Sequence, residues 1–121
     1  MRAEFFGDSY DIVKQCFIRW LSPFGGWAVQ PMLTKSVSPD WGAEFSRFLG
    51  APLLTAEVLS RRTIRNDYFA SGRTCGHLFL DPDKGLWVKP TKPANLPSYL
   101  LRSELISLAH ARPASLTLVF D

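Results

Sequence analysis

The last third of the chain constrains the fold most. HLFL (77–80) and SLTLVF (115–120) are short and almost wholly apolar, the pattern of strands covered on both faces. Between them lie a loop with three prolines, KPTKPANLP (89–97), and the helical pattern ELISLAHA. Ser103 is placed to cap that helix, and Arg112-Pro113 to stop it. Strand, loop, helix, strand is the order of a βαβ unit, so the two strands are expected to run parallel. The chain is therefore read as one α/β domain over 1–121, with a Rossmann-like, mostly parallel sheet flanked by helices. It stops where this strand is complete. Such a sheet ordinarily continues, so a domain truncated after the last strand, or a fragment of a longer one, is expected.

Earlier segments fit this class. DSYDIVKQCFIRWLS (8–22) reads as an amphipathic helix capped by Asp8 or Ser9, with Ile12, Val13, Cys16, Phe17, Trp20 and Leu21 as its apolar stripe. WAVQPML (27–33) reads as a strand that Pro31 weakens or confines to an edge. Ser38-Pro39-Asp40 opens a helix carrying Trp41, Phe45, Phe48 and Leu49, which Gly50 closes. PLLTAEVL (52–59) suggests another strand, and Thr63 the cap of a short helix through Ala70.

If the parallel reading holds, each strand delivers an acid to the same sheet edge: Asp81 after HLFL and Asp121 after LTLVF. Neighbouring strands lie about 4.8 Å apart, so the carboxylates can share one crevice and hold a metal ion or hydrogen-bond a base or ribose. The alternative is a plain turn. Asp81-Pro82-Asp83-Lys84-Gly85 suits a hairpin pairing LFL with LWV. Asp8, Asp11 and Lys14 form one polar helical strip, which capping plus an ordinary surface ion pair would explain; a site role requires this helix start to pack near Asp81.

Charge is uneven. Of a net +3, residues 61–92 carry seven basic and three acidic groups. Arg61, Arg62, Arg65, Arg73, Lys84, Lys89 and Lys92, interleaved with Tyr68, Phe69 and Trp87, suit phosphates and stacked bases, or form a solvated basic face. Cys16 and Cys75 lack the spacing of a zinc site and are expected reduced. His77 and His110 have no nucleophile motif and are expected to be structural or surface residues. No dinucleotide, P-loop or zinc-protease motif occurs. With no apolar run of membrane-spanning length and no basic-then-apolar leader, a soluble, cytoplasmic protein without a membrane partner is expected.

FFGDSYDIVKQCFIRWL (5–21) resembles the opening of Rossmann-like adenine-N6 methyltransferases of ribosomal RNA, and HLFLDPDKG resembles their Asp-Pro-Pro-aromatic motif. Together they are also similar to an uncharacterised group of bacterial proteins carrying Gly-Asp-x-x-Asp-x-x-Lys and Phe-x-Asp-Pro-Asp-x-Gly. The resemblance covers about a quarter of the chain. It implies that Asp8, Asp11 and Lys14 form the opening motif, that Asp81, Pro82 and Asp83 hold a base amino group, and that S-adenosylmethionine is the cofactor. The chain departs from the family in two places. WAVQPMLTKSVSP stands where an acidic, glycine-rich cofactor loop belongs, and Asp83 replaces the second proline with no aromatic after it.

The expected function is thus a nucleic-acid methyltransferase-like enzyme, with Asp81, Asp83, Asp11 and Lys14 as catalytic candidates and Asp8, Arg61, Arg62, Arg65 and Arg73 as substrate-binding ones. Two alternatives stay open. One is a Mg²⁺-dependent nuclease or phosphodiesterase using Asp81, Asp83 and Asp121. The other is a non-catalytic nucleic-acid or protein-binding module.

Overall fold

The computed structural model describes residues 4, 6–90 and 92–121; Phe5 of the opening motif and Thr91 of the proline-rich loop lie outside them. Strands β1 (Trp27–Gln30), β2 (His77–Leu80) and β5 (Thr117–Val119) form a sheet in the order β1-β2-β5, all parallel. The expected pairing of HLFL with LTLVF is present, with Leu78 opposite Thr117 and Leu80 opposite Val119. β1 occupies an edge of this sheet, as Pro31 implies.

Side chains of the sheet alternate between two cores. Val29 and Phe79 pack with Ile18 of helix α1 (Ser9–Leu21) and with Trp41, Phe45 and Leu49 of helix α2 (Trp41–Leu49). Leu78 and Leu80 pack on the other face with Tyr68 of α3 (Arg65–Tyr68), Phe69 and Leu108 of α4 (Arg102–Ala111). Strand β2 is therefore covered on both sides, which is why its sequence is a continuous apolar run rather than an alternating one. No helix among the described residues is long and apolar enough to cross a membrane.

Several local expectations are corrected. Residues 52–59 form no strand, only a single parallel bridge between Leu53 and Val29. Val29 donates to Pro52 and Leu54 donates to Val29, so the next donor on the β1 side would be residue 31. Proline has no N–H, and the ladder stops there. Thr63 does not cap α3; its hydroxyl accepts from the Ser60 amide at 2.9 Å and closes the preceding turn. α4 begins at Arg102, so Ser103 lies inside its first turn and not at its cap, and the Leu101 amide is satisfied by Glu104 at 2.8 Å.

The hairpin between LFL and LWV is absent. β3 (Leu86–Trp87) turns away from β2 and pairs in parallel with β4 (Leu100–Leu101), forming a separate two-stranded ribbon. Gly85 makes the departure possible, because its φ of +89° is a conformation that side chains with a Cβ rarely adopt. The ribbon is tied down by Lys84 N–H to Ser98 at 2.9 Å and Leu100 N–H to Gly85 at 3.1 Å.

The largest correction concerns α1. All of its expected apolar stripe except Leu21 is exposed: Ile12 is 50% exposed, Trp20 73%, and Val13, Cys16 and Phe17 are also exposed. Buried instead are Asp11, Lys14 and Ile18, at spacings of three and four. Asp11 and Lys14 are thus no surface pair, at 3% and 6% exposure. The partner that draws them inward is Asp81, seventy residues along the chain, which α1's own periodicity does not register.

Candidate functional site

The site begins with Asp81, the first residue beyond β2. Its amide donates to the Gln30 carbonyl at 3.1 Å, extending the ladder with β1 by one rung, while Phe120 N–H closes on Leu80 from β5. The carboxylate is held at the carboxyl edge of the central strand, 3% exposed. This is the position at which open α/β sheets bind ligands.

α1 supplies the rest. Asp8 caps the helix by accepting from the Asp11 amide at 3.0 Å. Gly7, at φ +85°, turns its own N–H onto Asp11 Oδ2 at 3.0 Å. With one oxygen held by that amide, Asp11 presents Oδ1 to Lys14 Nζ at 2.9 Å. Lys14 reaches Asp81 Oδ2 with the same ammonium at 2.8 Å. The Gly-Asp-x-x-Asp-x-x-Lys spacing thus builds one buried ammonium bridging two carboxylates, one local and one from the sheet edge.

Among the described side chains, two buried carboxylates share the one Lys14 ammonium. Burial pushes the Lys14 pKa down, but the attraction and hydrogen bonds of Asp81 and Asp11 outweigh it, and the net shift is upward. Lys14 is therefore held as the ammonium. For Asp81 burial is the largest influence and raises its pKa, with the adjacent Lys14 pulling the other way. The Lys14 ammonium also lies 5.0 Å from the ring centre of Phe120.

Around this centre opens a cleft of about 480 Å³. Asp8, Asp11, Lys14, Asp81, Asp83 and Asp121 all line it, so the aspartates from both strand ends and the opening motif share one concave surface. Asp121 Oδ1 accepts from the Leu86 amide at 3.2 Å, tying the end of the β5 segment to the start of β3. Tyr10 and Phe120 form an aromatic wall, edge to face with centroids 6.3 Å apart. Sequence reasoning missed both; only adjacency to Asp11 and Asp121 hints at their place.

The arginines lie elsewhere. None of Arg61, Arg62, Arg65 and Arg73 lines the acidic cleft. Arg65 is tied to Glu104, at 2.7 Å through Nη2, and to the Tyr99 carbonyl at 2.8 Å, so it braces α3 against α4. Arg73 bonds to Asn66 and Arg61 to the Ala94 carbonyl. Arg62 is exposed.

Among the described residues, no three His, Cys, Asp or Glu side chains are grouped to hold a metal ion. His77 is structural: Nδ1 accepts from the Leu116 amide at 2.9 Å, which leaves Nε2 to donate to the Phe24 carbonyl at 2.8 Å. His110 is exposed, and both cysteines are free thiols. The β1 end does not fit S-adenosylmethionine as the family's loop would. Pro31, Met32 and Leu33 follow the strand directly and are all buried, so side chains cover the backbone where a glycine-rich cradle would leave it open.

Compared with models of protein families, with curated proteins and with solved structures, the chain has no match in any of the three.

Proposed function

We propose that this chain is a Rossmann-like nucleic-acid-binding protein of the methyltransferase-like kind, whose carboxyl-edge cleft holds the exocyclic amino group of a nucleobase. The observation that carries this reading is the bridging of Asp11 and Asp81 by Lys14 at the floor of a cleft walled by Tyr10 and Phe120. Carboxylates accept N–H hydrogen bonds, and an amino-bearing ring offers two. Lys14 fixes the Asp81 carboxylate in place, and an aromatic wall suits a planar ring. Buried Pro31, Met32 and Leu33 stand after β1 in place of an open glycine-rich cradle, so the proposed role is base binding and not methyl transfer.

Calorimetry with nucleosides tests the reading. Adenosine and cytidine carry the amino group and uridine does not. A hydrogen bond from an amino group to a charged acceptor is worth on the order of 1.5–3 kcal/mol, so adenosine and cytidine are expected to bind at least fivefold more tightly than uridine, a preference lost in Asp81→Ala. Equal heats for all three, or none at millimolar ligand, would overturn it. Heat with S-adenosylmethionine would reinstate methyl transfer; its absence at millimolar concentration removes that version.

A second reading rests on the five aspartates lining one cleft. A Mg²⁺-dependent nuclease would cleave RNA or DNA in a reaction lost on Asp83→Ala and on chelation. The lack of a three-ligand group among the described residues makes it the weaker of the two.

A further inference from the structure

A second groove, of about 420 Å³, lies between residues 87–90 and the start of α4, with Lys92 also on its lining. Its charge is the reverse of the first. Lys89, Lys92 and Arg102 line it and, among the described residues, no carboxylate does. The Trp87 indole forms an aromatic surface beside these cations, with the Lys89 ammonium 5.3 Å from the ring centre and Tyr99 packed 5.0 Å away. Exposed Val88 adds apolar surface. Cations tracking a groove beside an aromatic plane combine what a single nucleic-acid strand needs, charge for the phosphates and a π-face for a base. A groove selective for phosphate alone needs no indole.

The two clefts are joined by the shortest of links. Residues 81–85 line the acidic cleft, 87–90 line the basic one, and only Leu86 lies between. At about 3.3 Å per residue, the two-residue strand β3 spans about 7 Å. A strand of a few nucleotides crosses that distance.

We infer that the Trp87–Lys89–Lys92–Arg102 groove binds the backbone and one base of single-stranded nucleic acid, and so delivers a neighbouring base to the acidic cleft. The inference rests on the function proposed above for that cleft, but it is separately testable. It also reassigns the electrostatic contact from Arg61, Arg62, Arg65 and Arg73 to three cations outside that set.

The test is fluorescence anisotropy of a labelled twelve-nucleotide oligoadenylate, with the full chain, across a salt series. The single strand is expected to bind more tightly than a duplex of equal length. Lys89→Ala/Lys92→Ala/Arg102→Ala should weaken binding at least tenfold. It should also lower the slope of log K against log salt by about 2, as loss of three phosphate contacts on a single strand requires. Arg61→Ala/Arg62→Ala should change neither. Trp87→Phe, which keeps a ring, should bind more tightly than Trp87→Leu. Unchanged affinity in the triple variant, equal binding of duplex, or displacement by heparin at the same charge concentration as by oligoadenylate would each overturn the inference. Asp81→Ala separates the two proposals. If strand binding survives while oligoadenylate and oligouridylate already bind alike in the wild type, the groove stands and the amino-group reading fails.

Discussion

The two clefts lined by the chain before and after Leu86 differ in how their charges are held. In the acidic one, Asp11, Lys14 and Asp81 are buried and locked to one another and to backbone amides. In the basic one, Lys89, Lys92 and Arg102 are exposed. Charges of the first kind are expensive to bury and are retained only when partnered; charges of the second kind contribute little to stability and face the solvent, where a ligand can reach them. The contrast teaches that the acidic cleft is built into the fold, whereas the basic groove is laid on its surface. Substitutions should therefore reach stability in one and only binding in the other.

The sharpest way to break that distinction is to remove the ammonium. Lys14→Met removes the ammonium that buried Asp11 and Asp81 share and is expected to destabilise the fold by about 3–5 kcal/mol, measured by urea denaturation. Lys89→Met should cost less than about 0.5 kcal/mol in the same measurement. Comparable costs would erase the contrast. Next in size is Gly85→Ala, at the junction between the clefts. A Cβ there collides with the Asp121 carboxylate at a φ of +89°, and a loss of about 1–3 kcal/mol is expected. Asp8→Ala removes the cap of α1 and should cost about 1 kcal/mol.

A pH series sharpens the comparison further. The Lys14 pKa is raised in the folded protein, so the fold binds this proton more tightly than the unfolded chain does. Its stabilising contribution is complete below the ordinary lysine value of 10.5 and is lost as pH rises through the higher folded value. Asp81 has the same sign at the acid end, since burial raises its pKa. Its contribution is present below the ordinary value of 3.8 and declines as pH rises through the folded value. The wild type should therefore lose stability above pH 10.5, and Lys14→Met should lose that limb of the profile, as seen by denaturation midpoints from pH 9 to 12.

The sheet was legible because its evidence is local. HLFL and LTLVF are too apolar to face water on either side, and a helical pattern between them leaves the parallel arrangement as the natural one. From that pairing the position of Asp81 at the sheet edge followed directly. The orientation of α1 was not legible, because periodicity weighs a helix against water and not against a carboxylate from another strand. Ile12, Val13 and Trp20 define the stronger apolar stripe, yet Asp11 and Lys14 turn inward because their charges are completed by Asp81 and the Gly7 amide. Pairings that rest on two residues, such as β3 with β4, leave no pattern to read. Within the arginine-rich stretch, Arg65 is tied to Glu104, a partner 39 positions away that no local pattern registers.

The most direct test of the central claim is an amide-resolved NMR titration of the ¹⁵N-labelled full chain with adenosine. The account expects saturable shifts at Gly7, Asp11, Asp81, Gly85 and Leu86, with uridine producing far smaller ones and Asp81→Ala abolishing them. Shifts confined to residues away from the β2–α1 edge, or identical responses to adenosine and uridine, would contradict it.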